Sequence, residues 1–387
     1  MYSSNNNKLS DQLTITQNKL GSGAFGCVYI AKSEGKDIAI KCESKNSQVL
    51  TLLREFKICR KIYLIKKYIR YLKHYDKITD TKEKNKIKDF LTGMESNPII
   101  KVFNYISQNN MLLVPDELNI NYLLTLRCVP ESFSYIECND FNFLTMELCG
   151  DNFENLIEKY KFTERTKYFI AHVLLHIMSC IHRCGIIHRD IKLSNFVLDK
   201  KITGNKDLDK ELYPMLIDMG LCKEYYKYEP DKVIPVQQTN TKSITGTLRY
   251  ISLNVHEFKS PTIIDDLISL SYALIVIFTE KNLPWVGHKK DTDKFNINDH
   301  SDLDCKCGYH KNKSNNNTKH NNTISEMKFH VPLDELVGNK YRFLIKWIKY
   351  LYSLKHKQLP SYNYLYKCLY DESKNFNNLY MELIPKK

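Results

Sequence analysis

The sequence has no apolar run long enough to cross a membrane. Its longest, Leu267 to Phe278, is interrupted by Ser and Tyr and falls short of the roughly 20 residues a membrane helix needs. The opening stretch, Met1 to Gln12, is polar and lacks the apolar centre of a secretory signal. The 12 cysteines are scattered without a paired framework, and a chain of this size needs no disulfide staples, so a reducing compartment is expected. No long internal repeat is evident. These absences imply a soluble, non-secreted chain working inside a cell, in cytoplasm or nucleus, or in a host cell if its source is viral. A monomer is expected.

What is present is ordinary for a globular protein: 387 residues, 43% hydrophobic and 26% charged, enough for one large or two modest cores. The formal charge of +13 leaves nucleic acid, an anionic surface and acidic substrates all open. Lys, Asn, Ile and Tyr are abundant along the whole chain, as an A/T-rich coding sequence would give, so charge alone decides nothing.

From Leu13 to Cys42 apolar and polar residues alternate around glycines, the pattern of a strand meander. From Leu52 the spacing becomes helical, with Ile58, Ile62, Ile65, Ile69 and Leu72 three or four residues apart on one face. Residues from about 68 to 125 carry no chemical motif and read as an insertion. Strand-like segments return at Glu131 to Glu137 and Phe141 to Leu148, and Gly150 then breaks the pattern. Helical patterns dominate beyond it, at Tyr168 to His182, Asp265 to Thr279, Lys340 to Leu354 and Tyr362 to Tyr370. The expected fold is α+β and bilobal. Residues 1–150 form a small β-rich lobe, a long helix and a hinge, and 151–387 a larger, mainly helical lobe. Residues 288–323 are polar and rich in Asn and Lys, too poor in apolar area to offset their ordering entropy, and read as a low-complexity loop.

Gly21, Gly23 and Gly26 form GSGAFG between two strand-like runs. Glycines let backbone N–H groups approach phosphate oxygens, and the flanking strands make a hairpin cover, whereas a dinucleotide-binding fold would want a helix next. Alone, the motif fits a plain glycine turn equally well. Lys41 ends the next strand in AIK, where an ammonium could reach phosphates, although a lysine there is commonly a snorkelling surface residue. Glu55 on the following helix is its expected partner, with Glu43 a competitor.

HRDIKLSN, His188 to Asn195, is the most specific signal. Phosphoryl transfer asks for a carboxylate to orient the hydroxyl, a cation near the γ-phosphate and an amide oxygen for metal. Asp190, Lys192 and Asn195 supply these within six residues. Asp218 follows in DMG after apolar Met215, Leu216 and Ile217. It offers a hard oxygen to Mg²⁺, although an isolated Asp-x-Gly more commonly caps a turn. The order of these elements is the one phosphoryl transfer from ATP and Mg²⁺ requires in a two-lobed enzyme.

On these residues the chain resembles protein kinases, and among them the casein kinase 1 family. The segment SITGTLRYISLNVH from Ser243, with Ser252, Leu253 and Asn254, looks like that family's own replacement for the usual Ala-Pro-Glu segment. Asp265 and Asp266, LPW at Leu283 to Trp285, ISEMK at Ile324 to Lys328 and LPSYNYL at Leu359 to Leu365 continue the match. The resemblance implies that Leu20, Gly21, Ser22, Gly23, Ala24, Phe25, Gly26, Val28, Ala39 and Lys41 line the nucleotide. It also implies that Met146 is the gatekeeper of MELCG and that backbone groups of Glu147 and Cys149 meet the adenine. Thr247 would hydrogen-bond the Asp190 and Lys192 pair, and Asp266 would brace the loop from below. The family favours acidic or already phosphorylated protein substrates, and the matching cations here are Arg189, Lys223 and Lys242, with Arg249 beside a neighbouring anion site.

The sequence departs from the family at Met219, where a Phe is usual, and at Ile263 and Ile264, where it has arginines. The chain also stops soon after its last helix, so constitutive activity is expected. A pseudokinase scaffold would lack one of Lys41, Asp190, Asn195 or Asp218, and all four are present. Cys305, Cys307, His310 and His320 invite a zinc reading, but their spacing is tighter than the usual pair. Lys66, Lys67, Arg70 and Lys73 could face nucleic acid, although a solvated helix face explains them as well.

Overall fold

A computed structural model describes residues 13–23, 26–47, 49–108, 128–236, 241, 243–286, 324–355, 358–376 and 378–386. The meander expected at the start forms β1 (Leu13–Gly23), β2 (Gly26–Ser33) and β3 (Lys36–Ser44). With β4 (Ser132–Glu137) and β5 (Phe141–Glu147) they build one antiparallel sheet in the order β1-β2-β3-β5-β4. Among the described residues, none of the helices is long and apolar enough to cross a membrane.

Helix α1 (Leu52–His74) follows β3. Its N-cap Thr51 makes no capping bond of its own. The amides at the helix start, which have no intrahelical acceptor, are met instead by Glu43, a fully buried carboxylate that accepts from Thr51 N at 2.8 Å and Leu52 N at 3.2 Å. A carboxylate here satisfies orphan donors and complements the helix dipole. Ile58, Ile62 and Ile65 are buried as the periodicity requires, while Leu72, near the helix end, is half exposed.

The stretch expected to be an insertion from about residue 68 divides differently. Residues up to His74 belong to α1, and Tyr68 is itself buried. Two further helices, α2 (Thr81–Glu95) and α3 (Pro98–Gln108), then close back on the body. Asp80 caps α2 by accepting from Glu83 N. α3 buries Ile100, Val102, Phe103 and Ile106, the one-sided stripe of an amphipathic helix. Its low content of charge is the signal that this part is core. Residues 109–127, the end of that stretch, lie outside the described residues.

The second lobe is helical, as expected. Glu164–Arg183 and Ile263–Thr279 cross its centre, and Arg342–Ser353 and Tyr362–Ser373 pack beside them. Ile263 and Ile264, which replace the arginines of the family the sequence resembles, are both buried in this core. One continuous apolar cluster runs through the helical lobe and takes in Ile58, Ile62, Ile65 and Tyr68 of α1 and all four buried residues of α3. Among the described residues, the sheet has two small clusters of its own, one of which includes Leu52 at the start of α1.

Candidate active site

The site lies where the sheet meets the helical lobe. β3 runs antiparallel to β5, with Ala39 opposite Met146 and Lys41 opposite Leu144. Ala39 and Met146 are buried in an apolar cluster with Leu144 and Leu52, against which Val28 and Leu148 pack. An apolar surface of this kind could hold a flat heterocycle. Leu20 and Gly21 on β1 are exposed, and a side chain at Gly21 would meet nothing.

Gly26 has a different reason to be glycine. Its φ is +138° and an added Cβ would sit 1.9 Å from the Cys42 carbonyl oxygen, so the β2 strand could not lie against β3 with any side chain there. Ala24 and Phe25 lie outside the described residues. The hinge is drawn together by backbone bonds. Glu147 N donates to Glu131 O at 2.9 Å and Gly150 N to Leu198 O at 2.8 Å, while the Cys149 thiol turns back toward Glu147 O.

Lys41 Nζ donates to Glu55 Oε1 at 2.6 Å and stands 3.5 Å from Asp218 Oδ1. Glu43, the competitor, faces away into the α1 N-terminus and Asn142. Burial disfavours the Lys41 ammonium, but Glu55 and Asp218 outweigh it and hold its pKa above the ordinary value. Burial raises Glu55, partly offset by Lys41. At Asp218 burial acts upward, yet Lys41, Lys192 and His188 together bring the carboxyl below its usual range. The carboxylate is therefore ionised at neutral pH.

The short strand Phe196–Leu198 pairs with Pro214–Leu216, with Phe196 opposite Leu216, and Ile217 N donates to Asn195 O at 2.9 Å. That ribbon sets Asn195 and Asp218 at the same end. Asp218 has left-handed backbone geometry, φ +67°, uncommon for a residue with a side chain. Asn195 donates through Nδ2 to Asp190 O at 2.8 Å, which leaves its amide oxygen as an acceptor. A carboxylate and an amide oxygen are hard donors of the kind Mg²⁺ takes with phosphates and water.

Asp190 is bound on both oxygens. Oδ1 accepts from Thr247 Oγ1 at 2.7 Å and Thr247 N at 2.9 Å, and Oδ2 faces Lys192 Nζ at 2.8 Å. Lys192 also donates to Thr247 Oγ1 at 3.1 Å. Burial would lower the Lys192 pKa, but Asp190 reverses this and raises it. Gly246, φ +98°, lets the Thr247 segment approach, since a Cβ there would lie 2.4 Å from Arg189 O.

The loop itself hangs on Asp266, whose carboxylate accepts from His188 N at 2.7 Å and Arg189 N at 2.8 Å. Arg189 itself is left-handed, at φ +72°. His182 contacts Asp266 Oδ2 at 3.0 Å and Tyr362 at 2.6 Å through its other ring nitrogen. The sequence offers no sign of this role: His182 stands in a helical stretch and Tyr362 inside the LPSYNYL match, and only the closed lobe brings them together.

Arg189 and Lys223 line one groove with Arg54, Lys57 and Lys45, together with Glu137 and Glu224. Arg189 also donates to Leu221 O at 2.6 Å. Lys242 lies outside the described residues. Arg249 sits apart, 3.2 Å from Glu154. Met219 is buried, with the Cys222 thiol 3.5 Å from its sulfur. Cys305, Cys307, His310 and His320 lie outside the described residues.

A comparison with family models matches residues 95–348 to the protein kinase domain. The match begins downstream of the glycine segment and of Lys41, whose ammonium nonetheless stands 3.5 Å from Asp218 inside the matched region. Covering more than half of its length, it shows that this chain belongs to the protein kinase family.

Proposed function

We propose that the chain is a protein serine/threonine kinase of the casein kinase 1 type, transferring the γ-phosphoryl group of MgATP to Ser or Thr hydroxyls of acidic or already phosphorylated proteins. The observation that carries this reading is the Asp190 carboxylate, fixed on both oxygens by Thr247 and Lys192 beside an intact Lys41–Glu55 pair. A carboxylate held in this way can orient a substrate hydroxyl in line with the phosphoryl group and accept its proton, and positioning of this kind supplies much of the barrier reduction in phosphoryl transfer.

When bound, Mg²⁺ would neutralise charge on the phosphates, with Asp218 and Asn195 as its protein oxygens. Lys41 would hold the α- and β-phosphates, with Glu55 fixing its direction. Lys192, facing both Asp190 and Thr247, would offset charge near the γ-phosphate. Lys192 two places after Asp190, and Thr247 in contact with both, support hydroxyls of Ser and Thr as acceptors. The cations grouped with Arg189 and Lys223 support acidic substrates, since charge-assisted bonds to phosphate or carboxylate are the strong ones.

The test is phosphorylation of casein and of matched acidic peptides with and without a phosphoserine. Activity on Ser and Thr peptides, abolished in Asp190→Asn, is expected. An Asp190→Asn protein as fast as the unaltered one sinks the assignment of the base. Equal rates on primed and unprimed peptides, unaffected by Lys223→Ala, sink the substrate preference alone.

A further inference from the structure

The long helix Glu164–Arg183 carries His176 and Cys180 one turn apart, so both side chains leave on the same face. Facing them is Cys128, at the end of the chain segment that enters β4. One ligand atom from each of the three, a ring nitrogen and two thiol sulfurs, lies within 4.8 Å of the others. Cys180 Sγ and His176 Nε2 stand 3.2 Å apart. Cys128 and His176 are almost wholly buried, and Cys180 keeps partial exposure. None of the three takes part in the proposed phosphoryl transfer.

We propose that Cys128, His176 and Cys180 form a zinc site that fastens the segment entering β4 to the central helix of the larger lobe. Two thiolates and an imidazole are the soft and borderline donors that Zn²⁺ prefers, and three protein ligands plus one water complete its tetrahedron. With Zn–S about 2.3 Å and Zn–N about 2.0–2.1 Å, tetrahedral ligands stand about 3.5–3.8 Å apart. A separation of up to 4.8 Å needs a contraction of about 1.0–1.3 Å at most, and the 3.2 Å pair an opening of about 0.3 Å, both within the reach of side-chain rotation.

Lys66 on α1 places a positive charge near both thiols. Zinc binding releases both thiol protons, so the dication and two thiolates sum to no net charge beside that lysine. The backbone of Cys128 is already tied to the strand Pro214–Leu216, its carbonyl accepting from Leu216 N at 2.8 Å. The metal thus adds a second fastening close to the strand that delivers Asp218.

The experiment uses the full chain, purified under a non-thiol reductant, with zinc content measured directly and Co²⁺ then exchanged in as a spectroscopic probe. One metal per chain and a thiolate-to-cobalt charge-transfer band are expected. Cys128→Ser and Cys180→Ser should each weaken metal retention by at least about tenfold and reduce the band, while a Cys305→Ser/Cys307→Ser double variant should leave both unchanged. The proposal is overturned if the unaltered chain takes up no metal, or if the band follows Cys305 and Cys307 instead. A Cys128–Cys180 disulfide with no metal uptake, read by intact mass, overturns it equally. Because the unaltered protein is measured first, a variant that fails to fold does not decide the outcome.

Discussion

Replacing Thr247 with valine removes one hydroxyl and keeps the shape and the backbone amide. That hydroxyl donates to Asp190 Oδ1 at 2.7 Å and accepts from Lys192 at 3.1 Å, whereas the amide at 2.9 Å and the Lys192 contact at 2.8 Å survive. Asp190 is 7% and Thr247 8% exposed, so water is poorly placed to substitute. A hydrogen bond to a charged group contributes about 1.5–3 kcal/mol, and each 1.36 kcal/mol on the barrier is about tenfold in rate. If the bond holds the carboxylate in its reactive direction, kcat should fall by about 10- to 100-fold. The KM for ATP should change little, because Thr247 touches neither β1 nor Lys41. Steady-state phosphorylation of casein measures both quantities, with a thermal melt to show that the variant is folded. Thr247→Ser keeps the hydroxyl and should recover most of the rate. A folded valine variant within about twofold of the unaltered kcat would refute the reasoning, as would a serine variant as slow as valine.

Three further perturbations have distinct readouts. Gly26→Ala forces a Cβ against the Cys42 carbonyl and should cost about 2 kcal/mol or more of stability. Gly21→Ala has open space and should leave the melting temperature unchanged, so equal melting of the two variants rejects the close-approach argument. Burial lowers the His172 pKa to about 4, against about 6.5 in an unfolded chain. The unfolded state then binds more protons between those values, so stability should fall by about 3 kcal/mol as pH drops from about 6.5 to 4 and level off below. Denaturant titration across this range should show a shallower fall in His172→Gln, and identical slopes reject the assignment. Lys101 on α3 donates to Tyr228 OH at 2.7 Å and lies 4.4 Å from the centre of its ring. Lys101→Ala should speed amide hydrogen exchange across the hairpin of Tyr226–Glu229 and Lys232–Pro235, and unchanged exchange there counts against α3 as its support.

The two-lobed α+β arrangement was legible because period-2 and period-3.6 patterns change over where the elements do. Observed helices such as Ile263–Thr279 and Tyr362–Ser373 begin within two residues of the expected starts. The candidate site was legible because phosphoryl transfer confines its groups to short motifs. α2 and α3 were not, since a stretch without chemical motifs gives no sign that Ile100 and Ile106 meet a core formed by residues far along the chain. Glu43 was ambiguous for a related reason. Its spacing from Lys41 resembles that of a partner, and only the turn into α1 shows the carboxylate absorbed by helix amides. The meeting of Cys128 with His176 and Cys180 is likewise a product of tertiary folding. Its one local trace is the four-residue step from His176 to Cys180.

The apolar cluster that joins α1 to the helical lobe changes what can move during turnover. A helix that shares its buried face with the larger body is anchored to it, and Glu55, which fixes Lys41, is anchored with it. The sheet grips the same helix at its first turn, through Leu52 in the cluster with Leu144 and Met146 and through Glu43 on its first amides, so α1 is the bolt between the two lobes. Swinging α1 outward would mean tearing a piece of the main core open.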